Sequence, residues 1–331
     1  MSEIVKNDFE TLFNYVPEER REQSAAYWAD RSLKTVVGEM PSIERYEGAD
    51  IAVVQPEGEV DETKTILLPL EFNQGITPAH YMRAKVLQQY LAPESRVVIV
   101  PNSSADDSHV DMSLLSEYSK KRMSEGDYMP YASLLHRSVA EADVRHNFGT
   151  MAIVASSQGA LTGLAFATSE MVPVSNVLAH ETPSKSGRSA KQLGKDFNKS
   201  GGGVFGLKNA IADSEVRAQR QAMRFPDRYT RDIVKFAKRS MTHPDAKLLA
   251  EAMSGSAEYL ASPATKNLGM YAVVFSYAKG SLVFDPESIS DETKALAPVI
   301  ELTGERLEKQ AHATSNNLRL LAALAYNSFN S

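Results

Sequence analysis

The chain has 331 residues, 43% of them hydrophobic, no cysteine, and a net charge of −6 at neutral pH. The absence of cysteine excludes a disulfide framework, a thiolate metal site and a cysteine nucleophile; the acidic balance gives no electrostatic footprint for nucleic acid. The length suffices for one large domain or two small ones with a sizeable core. The opening stretch "MSEIVKNDFETLFNYVPEERREQ" is polar and of mixed charge, without the apolar segment of a signal peptide. No window approaches the roughly 18 consecutive apolar residues that span a bilayer, so a cytoplasmic chain is the expectation.

Residues 1–33 read as a helical extension, with Phe9, Leu12, Phe13 and Tyr15 as an apolar stripe. Two short β-type runs follow in "LKTVVGEMPSIERYEGADIAVVQPEG", broken at Met40-Pro41 and Glu47-Gly48, and suggest an antiparallel opening hairpin. "TKTILLPLEF" is a third strand, apolar on both faces as a central parallel strand would be. "TPAHYMRAKVLQQYLA" is a helix that Thr77 can cap, with Pro78 at its first position. "SRVVIVPNSSADD" is a fourth strand running into a polar loop, and residues 111–146 are helical with a break between Gly126 and Pro130. "TMAIVASSQGALTGLAFA" supplies a fifth strand and its helix, and "VPVSNVLAHETP" a sixth strand. A long insertion then spans 184–268, before strands in "LGMYAVVFSYAKG" and "APVIELTG" and a closing amphipathic helix in "SNNLRLLAALAYNSF", capped by Asn316 or Ser315.

Strands that alternate with helices and are apolar on both faces predict an α/β fold. The expected architecture is a largely parallel sheet of about eight strands flanked by helices, with a helical cap inserted after strand 6. The division would be 1–33 as extension, 34–183 and 269–331 as core, and 184–268 as cap or lid. Ligands of open α/β sheets bind at the carboxyl ends of the strands, which is where such an insertion would sit.

Within the fifth strand and its helix lies Ala155-Ser156-Ser157-Gln158-Gly159. A strand, then small-x-Ser-x-Gly, then a helix is the arrangement of a nucleophile elbow with Ser157 at its tip. The turn is so sharp that residues two before and two after the serine must be small, and Ala155 and Gly159 meet that demand. The helix N-terminus behind it offers N–H groups to a developing oxyanion.

With this elbow and this order of elements, residues 34 to 330 resemble the α/β-hydrolase superfamily. The resemblance implies a triad in the order serine, acid, histidine. The histidine slot, after the last strand and before the closing helix, holds His312, one of only seven histidines. The usual acid position, after the strand in "LGMYAVVFSYAKG", holds Gly280, and the first carboxylate beyond it is Asp285. Some lipase-like members take the acid from the end of strand 6, where Glu181 stands; Glu181 is preferred here to Asp285. The resemblance also implies an oxyanion hole from the backbone N–H of Gln158 and of Glu71 or Phe72, although Leu70 replaces the expected glycine and the usual His-Gly pair is missing.

The implied chemistry is a serine hydrolase of the carboxylesterase or lipase type, cleaving an ester or related acyl bond of a small-molecule or lipid-like substrate, with no cofactor and no metal. An acyltransferase or peptidase would share that machinery. The alternative from another class is a catalytically degenerate α/β-hydrolase-fold protein with a structural or binding role. Whether the chain pairs with a second copy of itself is left open.

Residues 185–239 carry fourteen lysines and arginines against five acidic residues. Arg217, Arg220, Arg224, Arg228 and Arg231 recur at helical spacing, as a basic lid or a solvated face that complements the acidic remainder. "SGGGVFG" lacks the Gly-Lys-Ser/Thr ending of a phosphate loop and reads as a hinge.

Overall fold

A computed structural model describes residues 4–29, 31, 33–72, 74–102, 110–170, 172–184, 244–256, 260, 271–281, 283–304 and 318–330. The strands are β1 (Val5–Asn7), β2 (Ile43–Arg45), β3 (Asp50–Val54), β4 (Lys64–Pro69), β5 (Arg96–Val100), β6 (Thr150–Ser156), β7 (Val174–His180), β8 (Ala272–Ala278) and β9 (Val299–Leu302). They form one nine-stranded sheet in the order β1-β9-β8-β7-β6-β4-β5-β3-β2. Every pairing from β1 across to β5 is parallel; β3 runs antiparallel to β5, and β2 antiparallel to β3.

The sheet has one strand more than the sequence pattern suggests. Val5 to Asn7, expected within a helical extension, pair with Ile300 to Leu302 at the sheet edge. Three residues are too few to show a period of two, so only tertiary pairing reveals β1. Each later strand is therefore numbered one higher than in the sequence reading. Leu33–Glu39, read there as part of a β-type stretch, is a helix.

The helices are α1 (Phe9–Tyr15), α2 (Glu18–Ala29), α3 (Leu33–Glu39), α4 (Pro78–Leu91), α5 (Glu117–Ser124), α6 (Met129–His146), α7 (Gln158–Thr168), α8 (Pro244–Ser254), α9 (Asp291–Leu296) and α10 (Leu318–Asn330). They cover both faces. Ile153, Ala155, Val177 and Phe275 point to the α6 and α7 side, while Ile66, Val154, Leu178 and Val274 point to the side of α1, α4 and α10. This double burial explains why the central strands read as continuous apolar runs. An isolated 13-residue helix is marginal in water. α10 is held by packing, with Leu320, Leu321 and Leu324 fully buried against the sheet, each contributing on the order of 1.5–3 kcal/mol.

α4 begins as its sequence predicts, with Thr77 before it and Pro78 at its first turn. Of the insertion, the described part is mainly α8, whose Leu249 and Ala252 join the core on the α6 and α7 face. The basic segment 185–239 lies outside the described residues, as do Ser315 and Asn316. Among the described residues no helix is long and apolar enough to cross a membrane.

The chain leaves β4 for β5 on one side of it, then returns to lay β6 on the other. The strand order therefore reverses between β4 and β6, and the carboxyl ends of the strands at such a reversal are where open α/β sheets bind ligands.

Candidate active site

Ser157 directly follows β6, at the carboxyl end of that strand. Its backbone takes φ 54° and ψ −132°, a region rarely occupied by a residue with a Cβ and costing on the order of 1–3 kcal/mol. The surroundings impose it. The Ser157 N–H donates to the carbonyl of His180 at 2.9 Å, and the Ser157 carbonyl accepts from Ala160 N–H at 3.0 Å. Gly159 lies against β4: a Cβ there would stand 2.4 Å from the Pro69 carbonyl oxygen and 2.6 Å from that of Leu70. Only glycine allows the elbow to approach the neighbouring strand this closely. Ala155 is fully buried on the other side of the turn. Gly159 thus has the steric function that its spacing suggests. The serine itself is only 4% exposed.

Gln158 is the first residue of α7, so its N–H has no acceptor within the helix and lies at the positive end of the helix dipole. Its side chain is fully buried. Nε2 donates to the Tyr128 hydroxyl at 2.8 Å and to the Leu249 carbonyl at 2.9 Å, while Oε1 accepts from Asn102 Nδ2 at 3.1 Å. Asn102 in turn accepts from the Tyr131 hydroxyl at 2.7 Å and donates to the Leu70 carbonyl at 3.3 Å. Burial, and then the nearby Tyr128 hydroxyl and Asp245 carboxylate, push the Tyr131 hydroxyl pKa well above its ordinary value, so it stays a donor. One polar network therefore joins the elbow, the end of β4, the start of β5's loop, α6 and α8. The sequence reading singled out Gln158 only for its N–H and did not anticipate Asn102, Tyr128 or Tyr131; no spacing rule links residues 29 to 91 positions apart.

Glu181 follows His180 at the end of β7, directly beside the elbow. It is fully buried and takes φ 50°. Its carboxylate accepts from the Ala278 N–H at 2.7 Å and from the Ser281 hydroxyl at 2.5 Å, and its own N–H donates to the Ser276 carbonyl at 2.8 Å. A carboxylate fixed by two donors from the β8 end is a preorganised acceptor. Asp285 is placed differently: its carboxylate caps the short 3₁₀ turn Pro286–Ser288 by accepting from Glu287 N–H at 3.0 Å. Of the two residues, Glu181 is the one that adjoins His180, whose carbonyl accepts from the Ser157 N–H. Ser281, next to Gly280, holds Glu181 from the segment where the resemblance places its usual acid. His312 lies outside the described residues.

The loop after β4 carries Glu71 and Phe72. Leu70 is not among the described non-glycine residues at positive φ. The chain leaves β4 without the left-handed turn that would require glycine there. The Glu71 side chain is buried and accepts from Arg83 Nη1 and from Ser156 Oγ, both at 2.5 Å. Burial alone would raise its pKa, but the Arg83 guanidinium and the Ser156 hydroxyl hold the carboxyl below its ordinary value. His80 lies beside this pair. Its Nδ1 accepts from the Thr77 N–H at 3.2 Å and its Nε2 is 2.7 Å from Gln74 Oε1, the pattern of a neutral ring. Burial, and then the nearby Arg83 charge, push its pKa down to about 3.

No family model and no curated protein matches this sequence. Solved structures do match it over most of its length. MGS-M2, an α/β-hydrolase enzyme from a Medee basin deep-sea metagenome library, is 11% identical with a TM-score of 0.52, covering 88% of this chain and 98% of that one. The enol-lactonase of Burkholderia xenovorans LB400 is 12% identical with a TM-score of 0.51, covering 88% and 100%. The 2-hydroxy-6-oxo-6-phenylhexa-2,4-dienoate hydrolase of Rhodococcus sp. strain RHA1 is 15% identical with a TM-score of 0.51, over the same shares of the two chains. At such identities the likeness establishes the fold.

Proposed function

We propose that this chain, which has the α/β-hydrolase fold, is a serine hydrolase that cleaves an ester or related acyl bond. Ser157 Oγ attacks the carbonyl carbon as His312 takes its proton, giving a tetrahedral oxyanion. The C–O bond to the leaving group then breaks, and His312 returns the proton to that group. Water enters by the same route in reverse and releases the acid. Glu181 accepts from the His312 ring and fixes its tautomer. The N–H of Gln158, with that of Glu71 or Phe72, stabilises the oxyanion.

The observation that carries this reading is the strained backbone of Ser157 at the carboxyl end of a central strand. Strain at a non-glycine residue persists only where the surroundings over-determine it, and it clusters at functional sites. Residues 184–268 would cap the site and select the acyl substrate, a small or lipid-like molecule.

Fluorophosphonate labelling tests the reading. Wild-type protein should label at one site, and both Ser157→Ala and His312→Ala should abolish it. A folded wild-type protein that does not label would refute the activity and leave the degenerate, binding-module alternative.

A further inference from the structure

We infer that the Glu71 side chain is a positioning residue for the site: through Ser156 it locks the oxyanion loop to the nucleophile strand. The inference rests on the hydrolase reading above and adds a role for side chains which that reading does not use.

The backbone ladder between β4 and β6 runs from Lys64–Thr150 to Leu67–Ile153 and ends there. Beyond it, one strand goes on to the loop with the Glu71 and Phe72 N–H groups, and the other to Ser156 and Ser157. The loop is fastened toward β5 by the Leu70 N–H, which donates to the Val100 carbonyl at 3.0 Å. Toward β6, the direct side-chain tie is Ser156 Oγ on Glu71 Oε1, beside the bridge that Asn102 makes from the Leu70 carbonyl to Gln158. Arg83, from α4, holds the same oxygen. The chain Arg83–Glu71–Ser156 therefore sets the distance between the two halves of the oxyanion hole, one donor group on each side of the tie.

Stability alone is a poor reason for this arrangement. Volume-matched apolar residues often replace a buried ion pair at no loss. Here Glu71 Oε2 and Arg83 Nε are buried without a hydrogen-bond partner among the described residues. Fixed geometry is what the pair does supply, and oxyanion donors must stay within about 0.5 Å of their working position. The tie also takes up the function of the absent His-Gly pair, whose backbone would otherwise define the loop.

The experiment compares wild type, Ser156→Ala and Glu71→Gln in full-length protein. Ser156→Ala leaves the Arg83–Glu71 pair intact and removes only the tie; Glu71→Gln keeps the shape but weakens the anchor. Fluorophosphonate labelling rate, kcat and KM on a short-chain p-nitrophenyl ester, and inhibition by a boronic acid and by the carboxylate product are measured. The boronate forms a tetrahedral adduct on serine, whereas the product does not. For Ser156→Ala, labelling rate, kcat and boronate affinity should each fall about tenfold to a hundredfold. KM and product affinity should stay within about twofold. Glu71→Gln should show the same split, and carries the test if Ser156→Ala does not fold. Wild-type kcat and labelling in a folded variant would overturn the inference. So would losses spread equally over KM, product binding and thermal stability. Wild-type protein that neither labels nor turns over ester overturns the hydrolase reading itself, and this inference with it.

Discussion

The side-chain nitrogen of Gln158 lies 2.9 Å from the carbonyl oxygen of Leu249, so the residue after Ser157 is bonded directly to α8. The link is buried, and Tyr128 and Asn102 complete its partners. Gln158→Glu would replace the shared donor with an acceptor facing the Leu249 carbonyl. Stability should fall by about 2–4 kcal/mol, and amide exchange across residues 244–254 should accelerate ahead of the core strands. Hydrogen-exchange mass spectrometry reads this directly. Unchanged protection of that helix would show that the Gln158 bond does not hold it.

Gly159 sets how closely the elbow meets β4. An added Cβ would meet two backbone carbonyl oxygens at 2.4 and 2.6 Å, and backbone cannot swing aside as a side chain can. Gly159→Ala should cost roughly 2–4 kcal/mol and slow fluorophosphonate labelling by more than about tenfold, because the push falls on the strand end that carries Glu71. A variant with wild-type thermal midpoint would show that the elbow has more room than this geometry gives it.

The steric part of the site was legible because its rules are local. The small residues around Ser157, Pro78 at the start of α4, and the doubly apolar run of β4 each state their role within a few residues. Glu181 is singled out because a resemblance says where to look after a given strand, whereas the Ala278 N–H and Ser281 hydroxyl that fix its carboxylate come from about 100 positions away. The rest is tertiary. β1 is three residues long and exists by pairing with β9, nearly 300 positions away. The Glu71 carboxylate meets Ser156 and Arg83 across 85 and 12 positions, and nothing in "LLPLEFNQG" distinguishes a buried carboxylate from an exposed one. Leu70 stands where the resemblance expects glycine, and its backbone does not take the positive φ that would demand one.

His80 predicts an acid sensitivity whose sign can be worked out. Its ordinary pKa is 6.5, and burial and Arg83 bring it to about 3 in the folded chain. Above pH 6.5 neither state holds the proton. Below it the unfolded chain binds a proton that the folded chain refuses, so stability is lost as pH falls toward 3. The slope is about 1.4 kcal/mol per pH unit. Urea midpoints at pH 7.5, 6 and 5 should show it, and His80→Gln should remove this share of the slope. Equal slopes in the two proteins would show that the ring is protonated in the fold.

The strain at Ser157 can be measured by separating it from the hydroxyl. Ser157→Ala and Ser157→Gly both lack Oγ, so neither should label with fluorophosphonate. They differ in what φ 54° and ψ −132° cost them. Alanine keeps a Cβ in a region that penalises it by on the order of 1–3 kcal/mol. Glycine enters that region freely but loses about 0.5–1 kcal/mol to the greater freedom of its unfolded chain. The net expectation is that Ser157→Gly is the more stable by about 1 kcal/mol, and at least as stable as wild type. Denaturant unfolding of the three proteins decides it. If glycine is no better than alanine, the elbow holds no strain, and the observation on which the hydrolase reading rests is removed.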